Sequence, residues 1–277
     1  MSTNFLGIDF EDWYHPQLIQ KHLENKEHEP RMFKGLDKII DMLRKTETLA
    51  TFFVVGKVLE SNPEIFDKII ENGHEIAFHT MNHDRIDNEN FKENFTDEVR
   101  AFSELANKKS KGFRAPTFSL NQNSSWIIDA LVDAGYLYDS SVVPAKTDLY
   151  GIPNAETNPY RISSNSLEKD DPDGKLIEFP ILVTNFLGKK TPAGGGFYLR
   201  FLPTKIIKNA IKKYEKQEIP ATFYIHSWEL TPEFMPKINL PFKENFITFH
   251  NIDKSYQKLE NILEQFEFTS FEKFFQN

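Results

Sequence analysis

The sequence predicts an α/β fold built on a parallel sheet. Three observations predict it: short apolar runs alternate with amphipathic stretches, glycines mark helix-to-strand junctions, and the chemically capable residues fall at strand ends. The apolar runs place strands at Phe5–Asp9, Ala50–Val55, Glu75–His79, Gly112–Arg114, Tyr138–Ser140, Ile177–Ile181 and Ala221–His226. Between the third and fourth, Phe91, Phe95, Val99, Phe102 and Ala106 keep a three-to-four spacing, the stripe of a helix covering a core. Gly73 and Gly135 each end a helical pattern just before a strand, where positive φ is needed. Parallel strands in this number form a barrel or a doubly wound sheet, and both bind ligands at the C-terminal strand ends. Asp9, His79, Arg114, Asp139 and His226 each stand at or just after such an end.

A chain of 277 residues suits one such domain. Its 41 acidic and 33 basic residues give a net charge of −8, and the basic ones are scattered, which argues against a nucleic-acid partner. The hydrophobic fraction of 39%, with 26 Phe, supplies a large core and spare aromatic faces for sugar rings. Without Cys, a metal must be held by His, Asp or Glu. The N-terminus has no basic segment, and no apolar run approaches the ~20 residues that span a bilayer, so the expectation is a cytoplasmic protein that is not integral to the membrane. The stretch from about 144 to 175, rich in Pro, Asn, Ser and Asp, reads as a long loop within a loop-rich insertion that extends to about 200. Gly194–Gly196 either brings backbone close to a ligand or makes a tight turn.

Two local patterns point to a metal. His79-Thr80-Met81-Asn82-His83 puts two imidazoles four residues apart, the spacing at which one helical turn aims both at a single ion. Asp9-Phe10-Glu11-Asp12 crowds three carboxylates after a strand, and such a cluster repels itself unless it shares a cation or a proton. Arg114-Ala115-Pro116 offers a fixed guanidinium fork that can orient a carboxylate. His226 at the last major strand, held by an acid such as Asp139, can serve as a general acid.

In this order, the set resembles the polysaccharide deacetylases with a NodB homology domain, carbohydrate esterase family 4. Asp9 with Asp12, His79-Thr80-x-x-His83, Arg114-Ala115-Pro116, Asp139 and His226 follow that family's motifs, and Thr51-Phe52-Phe53 matches the strand after its first helix. Phe113–Ser119, Tyr138–Ser141, Tyr150–Pro153, the triple glycine and His226–Leu230 look like one branch. It accompanies exopolysaccharide or exosortase-linked loci and carries a C-terminal extension, here near 230–277.

The resemblance implies a deformed (β/α)7 barrel in a single domain that hydrolyses the N-acetyl group of an amino sugar in a polysaccharide or glycan precursor. It implies one divalent metal, zinc first with Co2+, Mn2+ or Ni2+ as substitutes, on Asp12, His79 and His83. Asp9 is then the base fixed by Arg114, and His226, paired with Asp139, is the acid. A backbone N–H near Thr117 or Phe118 would face the oxyanion. The adjacent Asp-Asp usual in the family is opened here, and strand alternation puts Glu11 on the face of Asp9, whereas a turn after Asp9 would bring Asp12 back. Asp12 is the expected ligand. Two other readings use the same fold: an amidohydrolase acting on a small cyclic amide or ureide, and a carbohydrate-binding protein without catalysis.

Overall fold

All seven expected strands are present in the computed structural model, which describes residues 3–23 and 28–276. They are β1 (Asn4–Phe10), β2 (Thr51–Val54), β3 (Glu75–Phe78), β4 (Gly112–Phe113), β5 (Tyr138–Asp139), β6 (Leu176–Glu178) and β7 (Thr222–His226). Neighbours run parallel in the order β7-β1-β2-β3-β4-β5-β6. Every residue of β1, β2 and β3 is buried, as strands covered on both faces must be. Between β6 and β7 there is no ladder. A single parallel bridge, Ile181 to Thr222, spans that gap, so the sheet curls into a deformed barrel.

Helices α1 (Gln17–Gln20) and α2 (Leu36–Lys45) follow β1, and α3 (Gly56–Ser61) and α4 (Glu64–Glu71) follow β2. Next come α5 (Phe91–Leu105), α6 (Trp126–Asp133), α7 (Gly196–Phe201), α8 (Thr204–Lys216), α9 (Ser227–Leu230), α10 (Phe242–Phe249) and α11 (Ser255–Leu263). The stripe expected on α5 is buried at Phe91, Phe95, Val99 and Phe102. Gly73 and Gly135 both take φ of +79°.

The region from 144 to 200 is more ordered than its composition suggests. Tyr160–Ile162 pairs antiparallel with β6, and Val183–Phe186 with Lys189–Pro192 forms a hairpin. The triple glycine lets the backbone approach the sheet. Gly195 (φ +127°) bridges Tyr224 of β7, and a Cβ built there would stand 1.6 Å from the Tyr224 carbonyl oxygen. Only glycine allows a backbone approach this close.

The C-terminal residues close the barrel's other end. Phe268–Thr269 adds a short parallel strand beside β1, and Phe271 then packs among Phe5, Phe53, Tyr138 and Phe179, with ring centroids 5.1 to 5.5 Å away. Under this plug, Glu75 accepts hydrogen bonds from Thr51 Oγ1, from Tyr138 Oη at 2.7 Å and from the Glu272 N–H at 3.0 Å. Burial outweighs these bonds and lifts the Glu75 carboxyl from 4.5 to about 7. The folded chain thus keeps this proton to higher pH than the unfolded one. The resulting stability is full below about 4.5 and lost as pH rises through about 7, on the order of 3 kcal/mol. Glu75→Gln, neutral throughout, is expected to flatten the fall in urea midpoint between pH 5 and pH 7.5.

Candidate active site

The C-terminal strand ends surround an open-mouthed cavity with a polar floor and largely apolar walls, the form usual for small-molecule sites. Asp9, Glu11, His79, His83 and His226 form its floor, and Pro16–Leu18, Leu149–Tyr150, Phe197 and Ile247–Thr248 its walls. Arg114 lies fully buried beneath. Its Nη1 donates to Asp9 Oδ1 at 2.6 Å, and its Nε and Nη2 are fixed by the Ser140 carbonyl and hydroxyl at 2.9 and 2.8 Å. The guanidinium rests on the Phe53 ring, 4.0 Å from its centroid. With all three nitrogens of its guanidinium anchored, Arg114 orients the Asp9 carboxylate with Oδ2 4.0 Å from His226 Nε2.

Beside Asp9, ligand atoms of Glu11, His79 and His83 lie within 4.8 Å of one another. The two histidines do not share a helical turn as their spacing suggests. Thr80 (φ 58°) and His83 (φ 61°) are left-handed, and this loop folds the second imidazole back toward the first. His79 Nδ1 donates to the Arg114 carbonyl at 2.7 Å, which fixes the tautomer and leaves Nε2 with a lone pair. Burial lowers the His79 pKa to about 4, so the ring is neutral at neutral pH. Burial opposes ionisation of Glu11, but the close contact with His83 first, and then the nearby His226, outweigh it and hold the carboxyl well below its usual range. Glu11 Oε1 accepts from Trp228 Nε1 at 2.8 Å, while Oε2 is buried, makes no aligned hydrogen bond and lies 2.5 Å from His83 Nε2. Two imidazoles, with His79 neutral, and an ionised carboxylate with an unsatisfied oxygen are a donor set that fits a divalent cation.

Asp12, the expected carboxylate ligand, is not in this group. Its oxygens accept the backbone N–H groups of Trp13, Arg31 and Met32 at 2.9, 2.8 and 3.1 Å, tying down the loop after β1. The chain stays extended one residue past Phe10 because Ser227 Oγ takes both the Glu11 N–H (3.3 Å) and its carbonyl (2.6 Å). Strand alternation thus puts Glu11 on the cavity side with Asp9.

Asp139 is not paired with His226 either. Ser141 Oγ donates to it at 2.5 Å and in turn accepts the Ala115 N–H at 2.8 Å, so Asp139 supports the loop after Arg114. Burial raises both Asp139, to about 6, and its neighbour Glu178, well above its usual value. The acid behind His226 is Glu229. Its Oε2 lies 2.6 Å from His226 Nδ1, and its Oε1 accepts from the buried Arg200 Nε at 2.6 Å. Burial alone would depress the His226 pKa, but Glu229 first, then Glu11 and Asp9, raise it to about 9. Glu229 was readable from the sequence: His226-x-x-Glu229 is a capping box at the start of α9, and its i+3 reach was the missed signal. Of the two expected oxyanion donors, Phe118 N–H is engaged by the Ala115 carbonyl at 3.0 Å, whereas Thr117, left-handed at φ 54°, lines the cavity.

Comparison with known proteins agrees with this fold. The family description "Polysaccharide deacetylase" matches residues 33–138, and a "Domain of unknown function (DUF3473)" matches residues 140–276. A peptidoglycan-N-acetylglucosamine deacetylase of Bacillus cereus is 41% identical over 46 residues, 17% of this chain and 22% of that protein. A peptidoglycan deacetylase-like protein of Gibberella zeae is 25% identical over 173 residues, 60% of this chain and 48% of that one. The matched stretches thus span about a fifth to a half of these relatives. Among solved structures, a protein of Mycobacterium smegmatis named as a polysaccharide deacetylase aligns over 100% of this chain and 90% of its own, with a TM-score of 0.58 at 17% identity, a likeness of fold. Taken together, the chain carries a polysaccharide deacetylase region over residues 33–138, followed by a region of unknown function over residues 140–276, both built into one curled α/β barrel.

Proposed function

We propose that the chain is a metal-dependent N-deacetylase that hydrolyses the acetamide of an amino sugar in a polysaccharide or glycan precursor, releasing acetate. The observation that carries this reading is one cavity floor holding a clamped carboxylate, a His pair grouped with a Glu, and a third His 4.0 Å from that first carboxylate. Glu11, His79 and His83 would hold one divalent ion, with zinc the best match to two imidazoles and a carboxylate. Such an ion, when bound, supplies Lewis-acid polarisation of the acetamide and of the attacking water.

Asp9, aimed by Arg114, takes a proton from the water as the oxygen bonds to the acetamide carbon. The Thr117 N–H faces the negative charge that develops on the carbonyl oxygen. His226, held as imidazolium by Glu229, gives its Nε2 proton to the amide nitrogen as the C–N bond breaks, so that acetate and a free amino sugar leave.

The test is acetate release from N-acetylglucosamine oligomers by the purified protein together with its metal content. About one metal per chain with acetate release is the expected result. Metal without acetate from any N-acetylated saccharide would turn the assignment toward a small cyclic amide, and a folded protein unable to bind metal would overturn the mechanism.

A further inference from the structure

The cavity does not end at its polar floor. On the side built by the region of unknown function, an aromatic ledge continues outward from Phe197, which lines the cavity wall. Phe197 stacks on Phe201 one turn along α7, with centroids 5.3 Å apart at 19°, and meets Phe246 of α10 edge-on at 6.0 Å. Phe246 packs against His250 at 4.5 Å, and Phe242 lies one turn before it on α10. Phe201 is 45% exposed, Phe246 38% and Phe242 88%, and none of these phenylalanines belongs to a hydrophobic core cluster among the described residues. Rings of this size kept at a pocket mouth, outside the core, mark a surface that is covered in use.

We propose that this ledge is a subsite for a neighbouring sugar ring of the same saccharide whose acetamide enters the cavity. The assignment rests on the deacetylase reading above. Continuity with the cavity through Phe197 identifies the occupant as part of the substrate chain, since a ring leaving the catalytic floor on this side meets the ledge next. Charge points the same way. The two charged residues of α10 are neutralised locally, Lys243 by Asp148 at 3.1 Å and Glu244 by Lys21 and by His22 at 2.7 Å. The ledge therefore offers aromatic faces without a net field, which suits the apolar C–H face of a neutral sugar ring and gives an anionic bilayer nothing to bind.

The ledge is also pre-set relative to the reaction centre. Arg200 of α7, buried beneath it, donates to the Ile247 and His250 carbonyls at 2.9 Å each and to Glu229, the partner of His226. Little ordering cost then falls on binding.

The experiment compares the parent with F201A/F246A, whose exposed rings do not support the core, on N-acetylglucosamine oligomers of one and five units. The readout is the ratio of kcat/KM for pentamer over monomer, with binding of the same oligomers to the Asp9→Asn protein measured by calorimetry. The parent ratio is expected to be about tenfold or more and to fall toward one in the double variant. If no acetate is released but the pentamer binds more tightly than the monomer, and the ledge substitutions remove that difference, the ledge stands and the deacetylase reading falls. A parent that gains nothing from one to five rings overturns the ledge, as does a double variant that keeps the parent's ratio. Capture of phosphatidylcholine–phosphatidylglycerol vesicles by the parent but not the variant, with the ratio untouched, would assign the surface to a membrane and overturn it too.

Discussion

Asp9→Asn is expected to lower acetate release by ~10²–10⁴-fold while the protein still binds its metal, because the change removes the proton acceptor and leaves Glu11, His79 and His83 in place. His83→Ala is expected to remove both metal and turnover. His83 contributes one of two imidazoles, and its loss also leaves Glu11 Oε2 buried without its 2.5 Å neighbour. The pair Glu11→Gln and Asp12→Asn then separates the two candidate carboxylates. Glu11→Gln should release the metal. Asp12→Asn should keep it and lower stability instead, by about 1–3 kcal/mol, since its oxygens serve three backbone N–H groups. Metal analysis of folded protein, with urea midpoints on the same samples, checks all four, and metal lost from Asp12→Asn alone would reverse the ligand assignment.

The contrast between these two acids shows what was legible in the sequence. All seven strands could be read, because a short apolar run between amphipathic stretches has few other uses in an α/β chain. The strand-end rule then found Asp9, His79, Arg114 and His226 at one end of the barrel. What could not be read was which neighbour each side chain chooses. Glu11 points to the cavity because Ser227, distant in sequence, takes up its backbone groups and keeps the strand extended. The His79–His83 spacing was informative although the conformation behind it is a loop with two left-handed residues rather than a helix turn. Asp139 stands at a strand end like the others, yet its partners Ser141 and Glu178 hold it beneath the Arg114 loop. The stretch from about 144 to 175 was read from composition as a long loop, but its strand Tyr160–Ile162 is fixed by pairing with β6, and the bridge of Gly195 to Tyr224 of β7 likewise depends on contacts distant in sequence, which composition does not encode.

The second large effect concerns the proton that leaves with the amine. With Glu229 at Nδ1, the His226 pKa of about 9 keeps the ring charged at neutral pH, its Nε2 on the cavity side. The acid form is present below that value and lost as pH rises through it, so kcat/KM should fall on the alkaline side. Glu229→Gln removes the largest contribution that raises this pKa while burial still depresses it. The alkaline limb should therefore move to lower pH, and amide hydrolysis at pH 8 should drop by ~10²-fold or more. An aryl acetate, whose phenolate leaves without a proton, should lose far less, so the ratio of ester to amide turnover should rise in the variant. Loss of fold would depress both substrates together. Asp139→Asn provides the opposing case: its carboxylate has no contact with His226, so the limb should stay where it is while the Ser141–Ala115 support of the Arg114 loop weakens. A limb that moves with Asp139→Asn and stays with Glu229→Gln would return the acid's partner to Asp139, and would mean that the 2.6 Å contact between Glu229 and His226 does not govern the catalytic proton.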